Sequence, residues 1–566
     1  MNADKMKIFA TPIHVRVLKS TALLGTALLL LLSFQSVAFG AFAPLSPEFL
    51  NYATRQPETR KAAGTAPSFS SGYAPSPVDL RHLGHADYSV FLAAAAALPS
   101  RFDLRDDGAV TGVKSQLPYG TCWAFASIGS LESSYLKRKG TVLDLSELHL
   151  AWFTYKNTPG FTLSKTAGVE DTPLENGGSS LRAIATLAAW HGAVEESVLP
   201  YPAGTAATPG YSVPGQAGDY AARLHLQNAY FVQKGGYEKT PAKVIKTLLM
   251  TEGASYVSFS WNDETLQEVH HPYWNADKAA YYYNGDGYPN HAVLLVGWDD
   301  SYSRENFREG NRPQNDGAWL VRNSWGSGWG DKGYCWISYE DKAFDGGVVL
   351  IADDAGNYSE IYQHDELGWC NSFGDDETEW MANVYRARGD EQLKAVGLYT
   401  TAANALFEIR VYTRLSDPEN PSSGTLSLVQ TGSEVFAGYH TITLDRPVDL
   451  DSETAFALVV KMTTPNHSTP LAVEARVLFY SEKAVCNPGE SFWSWDEGAT
   501  WDDFGDAGNG NFCIKAFTAA RGTLTVQESD EKSGSSGCNT GWALVVAVLP
   551  LSGCLRRYVR RIPQSL

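Results

Sequence analysis

Cys122 stands in the run Val113-Lys114-Ser115-Gln116-Leu117-Pro118-Tyr119-Gly120-Thr121-Cys122-Trp123-Ala124-Phe125. A thiol attacks carbonyl carbon as its thiolate, so its surroundings decide whether it is reactive. Downstream, Ala124, Ile128, Leu131 and Tyr135 recur at helical spacing, Lys137, Arg138 and Lys139 follow, and Gly140 closes the run. That pattern predicts a helix with Cys122 in its first turn, where unpaired N–H groups and the dipole favour a negative charge. A cysteine in a helix is more often inert packing, so the reading depends on partners. His291 opens the apolar run Ala292-Val293-Leu294-Leu295-Val296-Gly297-Trp298, which reads as a buried strand. Asn323 follows a second apolar run, Trp319-Leu320-Val321-Arg322, and precedes Ser324-Trp325-Gly326-Ser327-Gly328-Trp329-Gly330. An amide there accepts a hydrogen bond from one imidazole nitrogen and leaves the other to exchange a proton with a thiol.

The elements that must position these groups carry a resemblance. Gln116…Cys122-Trp123-Ala124-Phe125, Asn290-His291-Ala292-Val293 and Asn323-Ser324-Trp325-Gly326 resemble the papain-like cysteine peptidases. Leu145-Ser146-Glu147, Asn176-Gly177-Gly178 and the stretch from Leu98-Pro99 to Asp106 agree, in family order. The resemblance implies a two-lobed fold, a helical lobe and a β-rich lobe, with the cleft between them. It implies that Cys122 is the nucleophile, His291 the acid and base, and Asn323 the group that orients His291, with Trp325 beside that contact. The Gln116 amide and the Cys122 N–H would hold the oxyanion. Gly177 and Gly178 would offer backbone groups to an extended substrate in antiparallel fashion, with Asn290 and Trp325 completing the substrate site. No metal or other cofactor is implied.

Departures bear on specificity. Tyr119 and Glu175 stand where the family has a bridged pair of cysteines, and Thr121 stands where serine is common. His291 and Asn323 lie 169 and 201 residues after Cys122, beyond the family's usual spacing of about 130–150. The extra length is expected in loops around 157–172 and 263–283, which would reshape the cleft.

The chain has 566 residues, 44% hydrophobic and 12% aromatic, including 16 tryptophans. Such a chain has ample material for packed cores, which excludes global disorder. The net charge of −18 argues against a nucleic-acid partner. Seven cysteines are too few and too scattered for a disulfide scaffold.

Lys5, Lys7, Arg16 and Lys19, then the apolar Leu23–Leu32 and a small-residue stretch, read as a signal peptide over 1–40. Residues 41–97, rich in Ala, Pro and Ser, read as a pro-region or N-terminal arm. The expected order is then a peptidase domain at 98–354, an all-β sandwich or jelly roll at 355–520, a polar linker at 521–537 and a tail at 538–566. The fold class expected is α+β followed by all-β. In the tail, Ser535 to Asn539, an apolar stretch Trp542–Leu555 and Arg556, Arg557, Arg560 and Arg561 resemble bacterial C-terminal sorting tags. The tail would hold the chain at the membrane until processed.

Short alternating runs between Gly, Pro, Asn and Asp predict the strands of the β region. Tyr362-Gln363-His364-Asp365-Glu366-Leu367-Gly368-Trp369, Phe436-Ala437-Gly438-Tyr439-His440 and Asn511 to Thr518 resemble the lectin-like domain appended to bacterial papain-like peptidases. The resemblance implies a carbohydrate or cell-wall ligand. Trp493, Trp495 and Trp501 read as core or domain interface rather than as sugar platforms. Asp375, Asp376 and Glu377 lack the regular spacing of a calcium loop. Cys370 and Cys486, both in loop-like surroundings, are the expected disulfide if one forms.

The function expected is an exported, cell-surface peptidase acting on proteins or peptides. A catalytically silent surface binding protein or adhesin is the alternative. An amide-transfer enzyme using the same thioester is a third reading.

Overall fold

The computed structural model describes residues 40–62, 72–163, 173–202, 211–233, 239–261, 271–506 and 508–521. The expected signal peptide, polar linker and sorting tail lie outside these residues, apart from the end residues 40 and 521. So do parts of the two expected loop expansions. Among the described residues, no helix is long and apolar enough to cross a membrane.

Six α-helices occur along the described chain: α1 (Pro47–Ala62), α2 (Ser89–Ala94), α3 (Cys122–Lys139), α4 (Glu147–Lys156), α5 (Ser180–Ala188) and α6 (Lys239–Thr251). Helix α3 starts at Cys122 and stops at Gly140, whose φ of 68° and N–H bond to the Leu136 carbonyl close the last turn. The sequence implied one apolar face. The structure buries α3 all round from Cys122 to Tyr135, because it runs between the two lobes. Its serines are satisfied there. Ser130 Oγ donates to the Ala254 carbonyl, Ser133 Oγ to that of Ala109 and Ser134 Oγ to that of Leu350, at 2.6–2.7 Å. Lys114 bridges Glu132 on α3, Asp144 and Glu147, at 3.1, 2.7 and 2.9 Å. This pins the Leu145-Ser146-Glu147 segment at the start of α4, where Ser146 caps the helix by accepting from the His149 N–H.

The β-rich lobe centres on the strand His291–Asp299, antiparallel to Ser255–Phe259 on one side and Ala318–Arg322 on the other. The next strands outward are Tyr334–Ser338 on one side and Asp345–Asp354, then Leu224–Val232, on the other. The sheet does not end at the expected boundary near 354. Ala437 to His440, in the C-terminal strand Ala437–Leu450, pairs antiparallel with Phe231 to Asn228. Glu391–Thr400, Ile514–Ala520 and Glu360–Tyr362 follow outward, so among the described residues one sheet of thirteen strands runs through both parts of the chain.

A second sheet of six strands, built around Ala455–Thr463, faces the C-terminal part of the first. Leu393, Val396, Ile409, Val411, Leu458, Val460 and Ile514 fill the space between them, which is the expected sandwich. The N-terminal strand Ala41–Phe42 pairs with Asn371–Gly374 in a small third sheet.

Two expectations on the β region are corrected. Among the described residues no disulfide joins Cys122, Cys335, Cys370, Cys486 and Cys513. Cys370 is fully buried beside a strand, its Sγ 3.4 Å from the Leu367 carbonyl, so its loop-like sequence context was misleading. Trp493 is core, donating to Glu379 at 3.0 Å, and Trp501 packs partly against core, but Trp495 is 64% exposed.

Candidate active site

The expected nucleophile is placed by the helix start. Cys122 is the first residue of α3 and is fully buried. Its Sγ accepts a hydrogen bond from the Ala292 N–H at 3.3 Å, which brings the residue after His291 onto the thiol. Two effects oppose each other at this sulfur. Burial pushes the thiol up to about 12, while the N–H groups of Ala292, Trp123 and Cys122 itself pull it down. Burial wins in this state of the molecule. The first-turn donors expected from the sequence are present, but they do not set the outcome while the sulfur is covered.

His291 opens its strand and pairs with Phe259 across the sheet. Its Nε2 lies 2.8 Å from Asn323 Oδ1. That same oxygen accepts the Ser324 N–H at 2.8 Å, which fixes the orientation of the amide. His291 therefore donates from Nε2, and Nδ1 is its basic nitrogen. Trp325 lies over the imidazole with ring centroids 4.6 Å apart, so its indole covers the histidine.

Gln116 is tied to the same strand end. Its N–H donates to the Ser324 carbonyl at 2.8 Å, its Oε1 accepts from Ser324 Oγ at 2.7 Å, and its Nε2 donates to the Tyr119 carbonyl at 2.8 Å. Contacts thus run from Gln116 to Ser324, from Asn323 to His291 and from Ala292 to Cys122, and the four expected catalytic residues meet at one place. Tyr201, which sequence reasoning missed, holds the loop before α3. Its hydroxyl bonds to Thr121 Oγ1 at 2.5 Å and to the Gln116 carbonyl at 3.0 Å.

The cleft is occupied by the chain's own N-terminal segment. The Gly178 N–H donates to the Gly72 carbonyl at 2.9 Å, and the Gly178 carbonyl accepts from the Ala74 N–H at 2.8 Å. The Tyr73 N–H reaches the Asn290 carbonyl at 3.2 Å. The Tyr73–Gly178 bridge is parallel, so this occupant runs opposite to the antiparallel substrate direction expected. Asn290 engages it through its backbone, since its side chain is bonded at both ends to Trp261 at 2.7 Å. Gly178 needs to be glycine for a reason not visible in the sequence: a Cβ there would sit 2.4 Å from the Trp123 indole.

Tyr73 lines a cavity of about 600 Å³, together with Glu48, Tyr256, Ser258 and Asp345. Glu48 is pushed up to about 8, chiefly by burial and then by the charge of Asp345, with a Tyr73 hydrogen bond acting the other way.

Comparison with known proteins gives the following. The model of the papain family cysteine proteases matches residues 98–350, and that of the lectin-like domain matches residues 361–518. Human cathepsin O is 29% identical over 245 residues, covering 43% of this chain and 61% of its own length. A cathepsin L-like protein of Caenorhabditis elegans is 27% identical over 247 residues, covering 43% and 59%. The chain thus spans about 60% of the length of these relatives.

Among solved structures, the cysteine protease and lectin-like domains of Cwp84, a surface layer associated protein of Clostridium difficile, superpose with a TM-score of 0.68. That match has 24% identity and covers 85% of this chain and 98% of that one, and it bears on the fold alone. An alanine variant of the clostridial protease Cwp84 after propeptide cleavage gives a TM-score of 0.62 at 25% identity, covering 75% of this chain and 100% of that one.

Proposed function

From a papain-family peptidase domain joined to a lectin-like domain, we infer that this chain is a cysteine peptidase that hydrolyses peptide bonds through a thioester. The observation that carries the reading is the path of contacts from Gln116 to Cys122 through Ser324, Asn323, His291 and Ala292. Cys122 Sγ, its proton passed to His291 Nδ1, bonds to the scissile carbonyl carbon. The negative oxygen is held by the Cys122 N–H and the Gln116 amide. The C–N bond breaks as His291 protonates the leaving amine. Water, deprotonated by His291, then cleaves the thioester, and the proton returns to the thiol. Asn323 keeps Nδ1 turned to the reaction throughout.

Residues 41–97 are read as a pro-segment. Its occupation of the Gly178 backbone groups and its contact with the Asn290 carbonyl, next to His291, support this. So does its reversed direction, which withholds the geometry needed for attack. The chain is read as exported and displayed at the cell surface. The basic and apolar N-terminus and the tail's resemblance to sorting tags support that reading, as does the naming of Cwp84 as surface-layer associated. Proteins or peptides are the substrates, and a cell-wall carbohydrate is the partner suggested for the lectin-like domain. Labelling with a thiol-directed epoxide, peptide mapping and peptide-library cleavage test the whole reading. Cys122 should carry the label, and a folded Cys122→Ala protein should neither label there nor cleave. Cleavage by that variant, or a Cys122 that never labels after the segment is removed, would leave a binding protein as the better reading.

A further inference from the structure

The peptide unit that joins Gly177 to Gly178 is held from both sides. Its N–H, from Gly178, faces the cleft and donates to the backbone of the occupant. Its C=O, from Gly177, accepts a hydrogen bond from the Tyr155 hydroxyl on α4. A trans peptide is planar and points its N–H and C=O in opposite directions. Fixing the carbonyl therefore aims the N–H. Gly177 itself has φ of 68°, a conformation that glycine adopts without strain.

Tyr155 is in turn held by Arg182 of α5, whose Nη1 donates to the phenol oxygen at 2.7 Å. A phenol that accepts from a guanidinium is a stronger donor to the next acceptor. Arg182 is 1% exposed. Among the described residues no carboxylate pairs with it, and aromatic rings surround it. Tyr480 lies 4.4 Å from the guanidinium carbon, Phe161 5.4 Å and Tyr155 5.5 Å. A buried guanidinium needs such partners to stay charged in place. Tyr480, the nearest of them, belongs to the lectin-like domain and is itself fully buried. The same loop grips the peptidase through backbone. The Tyr480 carbonyl accepts the Thr162 N–H at 2.8 Å, and the Thr162 carbonyl accepts from Asn176 Nδ2 at 3.3 Å.

We propose that Tyr480, Arg182 and Tyr155 are positioning residues that aim the Gly178 N–H at the substrate backbone, so that the lectin-like domain is a working part of the peptidase's substrate site. The proposal rests on the peptidase reading above, and it separates two effects. Loss of the relay weakens the hold on substrate but leaves Cys122, His291 and Asn323 untouched.

The test uses the chain after release of its N-terminal segment, with Tyr155→Phe, Tyr480→Ala, Tyr480→Phe and Arg182→Lys variants and three readouts. For Tyr155→Phe and Tyr480→Ala, KM for a peptide substrate should rise about tenfold, the scale of one buried hydrogen bond. Their kcat should stay within about threefold, and the rate of Cys122 alkylation by iodoacetamide should be unchanged. Tyr480→Phe, which keeps the ring, should recover most of the loss, while Arg182→Lys should not, because a lysine cannot reach the phenol and the ring in the same geometry. Amide hydrogen exchange over 174–180 should speed up in the same variants that raise KM. Unchanged KM and unchanged exchange in a folded Tyr155→Phe protein would overturn the proposal. If the parent protein cleaves nothing, the peptidase reading fails and the exchange data still decide the relay. If Tyr480→Ala does not fold, Tyr155→Phe, which removes a single oxygen, decides it.

Discussion

The imidazole of His82, in the N-terminal segment, lies flat on that of His467 in the lectin-like domain, with ring centroids 4.1 Å apart and planes 9° from parallel. Burial lowers both pKa values. That of His467 falls from 6.5 to about 4, with the nearness of His82 as the second cause. That of His82 is lowered by burial, opposed by the Thr401 carbonyl and Asp79. The docked segment thus keeps both rings neutral, whereas a released segment lets them protonate near 6.5. The released state binds more protons between these values, so docking weakens as pH falls from about 6.5 towards 4. Hydrogen exchange over 79–94 should rise across this window, and His467→Gln should flatten the rise. An identical pH profile in that variant would remove the histidine pair from the account.

Glu48 works in the opposite sense. Docking holds it protonated, with its pKa raised from 4.5 to about 8. A released Glu48 returns to the ordinary value and gives up its proton. Docking is therefore fully favoured below about 4.5 and weakens as pH rises through 8. Glu48→Gln should keep the segment docked at pH 8 to 9 and lower peptide hydrolysis by the full chain there. Equal hydrolysis at that pH would show that Glu48 does not govern release.

Gly72 passes so close to the loop before α3 that a Cβ on it would meet the Gly120 carbonyl carbon and oxygen at 2.2 Å. Its φ of 96° is also one that an L side chain rarely adopts. Gly72→Ala should dislodge the occupant and raise hydrolysis by the unprocessed chain severalfold, with the thermal midpoint of the remaining fold little changed. A variant as quiet as the parent would argue that the segment does not block the cleft.

Within the proposed catalytic group, Gln116→Ala should lower kcat by about 10²–10³, the usual loss for one oxyanion donor. Asn323→Ala should cost less than His291→Ala, since it orients the base without being the base. Steady-state kinetics on a peptide substrate check both. A rise in KM with kcat intact for Gln116→Ala would make that residue a substrate contact only.

What the sequence made legible was local. Cys122 at a helix start, His291 at a strand start and Asn323 at a strand end each carry a short pattern that periodicity and turn residues reveal. The sandwich strands are legible for the same reason. Tyr155, Arg182 and Tyr480 come from three distant segments and act only once those are packed together, so no spacing marks them. The state of the Cys122 thiol was misread because first-turn donors are visible in sequence, whereas its complete burial in the packed molecule is not. The pairing of Ala437–His440 with Asn228–Phe231 leaves no trace in either run, since a strand's sequence does not name its neighbour.

That pairing has a consequence for how the protein is made. Until residues 437–440 have been synthesised, the strand Leu224–Val232 is an open edge with unpaired N–H and C=O groups, adjacent to the buried Asp345–Asp354. Such edges recruit strands from other chains. A chain that stalls or is cut between 355 and 437 would hold the whole stretch that matches the papain family and would carry an exposed edge prone to aggregation. The C-terminal half thus acts towards the N-terminal half as a built-in chaperone, and the nascent chain becomes safe to release only after most of it exists.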